Sequence, residues 1–180
     1  MIPDHDDLKR RHQLGVATPF IAFLTSEGVE LHDARDGLPG EPDVVCSSDA
    51  GPVGIEIADG YMSGGDAAQL WSMARAVDRA GGRRTIVSST GLEISISPLI
   101  AEPDARLAAS LQETLERHCR SRFGMPTYLV LNASHAPLAD SRDAPRLAGA
   151  LRLPADCPYV AVYLCLMPST PGERAYFRVR

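Results

Sequence analysis

Two acids stand out by type and spacing. Pro42-Asp43 opens a short apolar segment that runs to Cys46, and Glu56 lies thirteen residues beyond Asp43, inside Val53-Gly54-Ile55-Glu56-Ile57-Ala58. Successive side chains of a strand alternate between faces, so a carboxylate between Ile55 and Ile57 points away from both. The turn-forming run Ser48-Asp49-Ala50-Gly51-Pro52 joins the two segments into a hairpin. Adjacent antiparallel strands then bring the two carboxylates within a few ångströms of each other. Like charges at that distance repel and shift their pKa values unless a cation lies between them. A ligand set made of oxygens suits Mg²⁺ or Mn²⁺. An ion of that kind polarises a phosphodiester and activates a water. The alternative for the same residues is a solvated acid on an edge strand (Glu56) and a turn-flanking acid (Asp43).

Other constellations are weaker. Ser134, His135 and Asp140 follow an apolar strand, where α/β folds place ligands. Adjacent Ser and His do not reach the geometry of a triad, however, and no G-x-S-x-G elbow exists. Gly64-Gly65 and Gly81-Gly82 form neither a Walker loop nor a dinucleotide fingerprint. The four cysteines, Cys46, Cys119, Cys157 and Cys165, make no CxxC pair and read as small buried hydrophobes in a reducing compartment. Arg83-Arg84 and the group Arg117, Arg120, Arg122 follow helical segments; they complement helix C-termini or, on a shared face, grip phosphates.

The elements that must position these groups follow from periodicity. Asp6 to Gln13 is polar, a short helix or a loose arm covering 1–17. Thr18-Pro19 then reads as N-cap and first turn of an apolar helix ending at Gly28. Val29 to Ala34 alternates as a strand. After the hairpin, Asp66 caps a helix that ends at Gly81-Gly82, and Thr85 to Ile96 reads as a second hairpin. The spacing of Leu107, Leu111, Leu115 and Cys119 predicts a long helix from Asp104 to Phe123. Tyr128 to Leu131 is a continuous apolar strand, buried on both faces. A short helix over Ala144 to Leu151, the strand Tyr159 to Leu166 and an edge strand Ala175 to Arg178 complete the chain. The last of these offers an edge through which a homodimer can pair. The sum is one α/β domain over 1–180: a mixed central sheet flanked by helices.

Composition narrows the class. The 180 residues carry 44% hydrophobic and 23% charged side chains, which excludes disorder, coiled coil and collagen. A mean hydropathy of −0.09 with no long apolar run excludes a helical membrane protein. The acidic start MIPDHDDLKR lacks a secretion signal, so the expected location is cytoplasmic. Net charge is −5, which disfavours a broad nucleic-acid footprint but allows a local basic patch. Lys9 is the only lysine among 18 basic residues.

Pro42-Asp43 with Ile55-Glu56-Ile57-Ala58 resembles the PD-(D/E)XK, or restriction-endonuclease-like, nuclease superfamily. The order helix, strand, PD strand, E-x-K strand, helix, strand from Pro19 to about Leu131 is similar to that superfamily's αβββαβ core. The run from Leu115-Glu116-Arg117 to Tyr128-Leu129-Val130-Leu131 is similar to the helix-then-strand segment of uncharacterised bacterial members. The resemblance implies a Mg²⁺-dependent nuclease hydrolysing nucleic acid, with Asp43 and Glu56 as metal ligands and Glu27, Glu30 or Asp59 as an ancillary acid. Where the superfamily has its lysine this chain has Ala58. In members whose basic group has moved to the next helix, the corresponding residues here are Gln69, Arg75 and Arg79, of which Gln69 and Arg75 are the expected catalytic partners. The alternative implied by the missing lysine is a catalytically degenerate module of the same fold that binds or assembles.

Overall fold

The computed structural model describes residues 5–60, 103–133, 144–166 and 174–180. The elements are α1 (His5–Ser26), β1 (His32–Asp36), β2 (Val44–Ser48), β3 (Gly51–Asp59), α2 (Pro103–His118), β4 (Thr127–Asn132), α3 (Ala144–Ala150), β5 (Ala161–Leu166) and β6 (Ala175–Arg178). The helix expected from Asp66 and the hairpin expected at Thr85 to Ile96 lie outside the described residues.

One mixed sheet has the order β1-β2-β3-β4-β5-β6. β1 pairs antiparallel with β2 and β2 with β3, β4 pairs parallel with both β3 and β5, and β6 returns antiparallel on β5. Side-chain alternation gives the sheet two cores. Val44, Cys46, Ile55, Ile57, Val130 and Cys165 face α1, whereas Ala58, Leu129, Leu131, Val162 and Leu164 face α2 and α3. The expected α/β class, with helices on both faces, is what forms.

The first helix departs from expectation. Residues 5–26 make a single helix of 22 residues, with Pro19 inside it and not at its start, so no arm ends at position 17. An interior proline costs about 3 kcal/mol. The stripe Val16, Ala17, Phe20 and Leu24 passes through it at no more than 1% exposure. Each large apolar side chain so buried contributes roughly 1.5–3 kcal/mol, so packing outweighs the lost hydrogen bond. Gly28, at φ 83°, ends the helix as its type predicts, with Val29 N–H bonded to the Leu24 carbonyl at 2.9 Å.

Other boundaries moved less. β1 begins at His32, later than the Val29 start predicted by alternation, since Val29 N–H is spent on the Leu24 carbonyl; within β1 the pairing with β2 shifts register between His32 and Arg35, where Asp33 adopts φ 51°. α2 stops at His118, short of Phe123. Beyond it the Arg122 guanidinium donates to the carbonyls of Cys119 (2.5 Å) and Ser121 (2.9 Å), closing the helix end before Gly124 is reached. No described helix is long and apolar enough to cross a membrane.

Candidate functional site

The hairpin places Asp43 beside Glu56. Val44 pairs with Ile55, so Asp43 falls opposite Glu56 at the point where β2 leaves the ladder. There the Asp43 side chain replaces a backbone partner: its Oδ2 accepts the Ile57 N–H at 2.9 Å. Glu56 answers in kind, its Oε2 accepting the Asp43 N–H at 3.2 Å. Gln13 of α1 donates its side-chain amide to Asp43 Oδ1. Both carboxylates are therefore oriented by donors and largely withdrawn from water.

Close backbone approaches hold the Pro42-Asp43 corner in place. A Cβ on Gly54 would stand 2.4 Å from Pro42 Cγ, and one on Gly37 would stand 1.7 Å from the Pro42 carbonyl oxygen. Pro42 is clamped between these two glycines, and Gly37 N–H bonds to the Asp43 carbonyl at 2.9 Å. Glu41 braces the same loop through Arg35, at 2.7 and 3.1 Å, and through Leu38 N–H at 2.9 Å. These donors hold the Glu41 carboxyl down at about 2.

Electrostatics follow from this enclosure. Burial, reinforced by the negative charge of Glu56, pushes the Asp43 carboxyl up to about 6. The Ile57 N–H, Lys9 and His118 oppose that rise. On the opposite side of Glu56, His118 Nδ1 lies 3.4 Å from Glu56 Oε1. That nitrogen is buried and has no hydrogen-bond partner among the described residues. The Tyr159 hydroxyl donates to the His118 carbonyl at 3.1 Å, and burial, with Glu56 adding to it, raises its pKa.

Lys9 comes to the site from a distant part of the chain. Lying one helical turn before Gln13, it lines a pocket of about 320 Å³ together with Gln13, Gly37, Pro42 and Asp43. The chain's only lysine thus reaches the site from α1. Position 58 has no space for one: Ala58 is 2% exposed in the core with Leu107, Leu111 and Leu115. At Gly60, just past the end of that strand, a Cβ would stand 2.3 Å from Leu111 Cδ2. Close packing of α2 on β3 is the physical reason for the small residue.

Other expected participants go elsewhere. Asp59 Oδ1 accepts from Asn132 Nδ2 at 2.6 Å and lies 2.9 Å from His12 Nε2, so it belongs to a separate cluster at the ends of β3 and β4. Glu27 and Glu30 are exposed beyond the C-terminal end of α1. From Gln13 to Glu27 a helix rises about 20 Å, which keeps these acids from Asp43. Arg122 is committed to closing α2. Gln69, Arg75, Arg79, Arg83, Arg84, Ser134, His135 and Asp140 lie outside the described residues.

The two carboxylates suit a hard cation by donor type, whereas the His118 imidazole, 3.4 Å from Glu56 Oε1, is a nitrogen donor of the kind softer ions prefer. Among the described residues, no three His, Cys, Asp or Glu side chains are gathered to hold one ion. Gln13 and His118 went unnoticed as site residues in the sequence. The available signal for Gln13 was an amide on the apolar stripe of α1, four positions ahead of Ala17. Compared with family models, curated proteins and solved structures, the chain matches none.

Proposed function

We propose that this chain is a restriction-endonuclease-like phosphodiesterase that hydrolyses nucleic acid, using Asp43 and Glu56 to hold Mg²⁺ or Mn²⁺. One observation carries the reading: a half-buried carboxylate pair at the divergence of two strands, with one member pushed up to about 6 by burial and by the other. Like charges held this close are a recurrent mark of functional sites. Support also comes from the sheet, with antiparallel β1, β2 and β3 followed by parallel β4, Asp43 at the head of β2 and Glu56 within β3. When bound, the ion supplies Lewis-acid polarisation of the phosphate and a more acidic water. Gln13 and the Ile57 N–H orient Asp43, and Lys9 supplies the fixed positive charge that Ala58 does not, stabilising the anionic transition state from the α1 side.

The test joins binding to turnover. Mn²⁺ or Mg²⁺ at millimolar concentration is expected to raise the melting temperature of the wild type but not of Asp43→Ala. The wild type is expected to nick plasmid or RNA substrates at least 100-fold faster than the variant. Equal rates in the two preparations, with no metal-dependent shift, would overturn the reading. A metal-dependent shift without cleavage would leave the degenerate binding module, which the buried Ala58 favours.

A further inference from the structure

Two of the four cysteines meet, at a place the carboxylate site does not use. Cys119 follows α2 and is buried, and Cys157 lies in the loop ahead of β5 and is partly exposed. Their Sγ atoms are 2.9 Å apart although 38 positions separate them in the chain. That is within about an ångström of the ~2.05 Å bonded distance. The backbones on both sides are already tied together. Arg122 donates to the Cys119 carbonyl at 2.5 Å and to the Asp156 carbonyl at 3.4 Å. Cys119 N–H bonds to Leu115 and Cys157 N–H to Pro154, at 2.9 and 3.1 Å. An open pocket of about 430 Å³, lined by Gln112, Glu116, Cys119, Arg120, Arg152 and Asp156, reaches the buried thiol from outside.

We propose that Cys119 and Cys157 are a modification site, forming a reversible intrachain disulfide by exchange with a small disulfide of the oxidised glutathione class. Cys157 reacts first, since it is the accessible member and burial pushes the Cys119 thiol up to about 12. It loses its proton and attacks one glutathione sulfur; one glutathione leaves as thiolate and takes up that proton. The Cys119 thiol then gives up its proton and attacks the Cys157 sulfur, and the second glutathione leaves as the thiol. Two protein thiols are oxidised by two electrons and one glutathione disulfide is reduced by two. The new bond closes the segment from the end of α2 to the loop before β5, with β4 and α3 inside it. It constrains the unfolded chain more than the folded one.

The test uses the full chain in graded mixtures of reduced and oxidised glutathione, quenched by alkylation. The expected product has lost two alkylatable thiols, yields a Cys119–Cys157 linked peptide and returns to the starting mass with dithiothreitol. Cys46 and Cys165 are expected to alkylate only after unfolding. The melting temperature of the oxidised wild type is expected to rise by roughly 5–10 °C. Cys157→Ser, altered at a partly exposed position, is expected to fold and show no such rise. A persistent glutathione adduct on Cys157, disulfide-linked dimers, or an unchanged thiol count would overturn the proposal.

Discussion

Asp43 and Glu56 each accept a hydrogen bond from the other's strand: Asp43 Oδ2 takes the Ile57 N–H at 2.9 Å, and Glu56 Oε2 takes the Asp43 N–H at 3.2 Å. The two acids therefore stay together even though their charges oppose it. This exchange sets the site, and its cost is measurable.

The Asp43 carboxyl titrates at about 6 in the folded chain against an ordinary 3.8, chiefly because it is buried and secondly because of Glu56. Between those values the folded chain holds a proton that the unfolded chain has lost. Stability from this group therefore falls as pH rises from about 4 to 6 and stays low above, by up to roughly 3 kcal/mol. Asp43→Asn is expected to be more stable than wild type by about 1–3 kcal/mol at pH 7.5 and nearly equal at pH 4. Urea unfolding at the two pH values measures this, and a constant difference across pH would show the charge to be irrelevant.

Lys9 is exposed on α1 and lines the Asp43 pocket. Lys9→Ala is expected to leave unfolding midpoints within about 0.5 kcal/mol of wild type. Metal-dependent cleavage is expected to fall about 100-fold, with partial recovery in Lys9→Arg. Parallel circular dichroism and nicking rates separate the two effects. Unchanged cleavage in Lys9→Ala would remove Lys9 from the site.

Restoring the superfamily's lysine at position 58 is expected to fail. Ala58 is 2% exposed and packs with Leu111, so Ala58→Lys forces an ammonium into an apolar layer. A loss of about 3 kcal/mol or more is expected, with no gain in cleavage. Denaturant titration checks the first and a nicking assay the second. A stable, more active variant would mean that α2 yields at this position.

Two glycines should respond in opposite directions. A Cβ on Gly54 would meet Pro42 Cγ at 2.4 Å and Thr127 Oγ1 at 2.8 Å, so Gly54→Ala is expected to lose about 1–3 kcal/mol and the metal-induced shift. At Gly15, inside α1, a Cβ meets nothing within 4 Å, so Gly15→Ala is expected to gain about 0.5–1 kcal/mol. Thermal melts with and without Mn²⁺ read both. Equal losses would point to a general effect of the extra methyl.

Much of this was legible without coordinates. Residues 128–131 read as a strand buried on both faces and form one, because period and composition agree there. The Asp43–Glu56 encounter was legible as a hairpin pairing but not in register: the turn read over Ser48 to Pro52 shortens to Asp49-Ala50 because Ser48 pairs with Gly51. Pro19 was misread because local propensity placed a helix start there, whereas the helix takes its length from what its buried stripe covers. Lys9 and Gln13 were missed for a related reason. Their distance from Asp43 is measured across the α1 packing, and neighbours in the chain carry no trace of it.

The amino-acid order by itself determined the alternation of β2 and β3 and the local pairing that brings two acids together, because these depend on spacings within one hairpin. Only the tertiary structure decided what surrounds those acids. Packing α1 on one face of the sheet delivered Gln13 and the single lysine to Asp43. Packing α2 on the other face set His118 beside Glu56, left position 58 room for an alanine alone, and brought Cys119 against Cys157. Such contacts join residues far apart in the chain, and their geometry comes from how buried surfaces fit together.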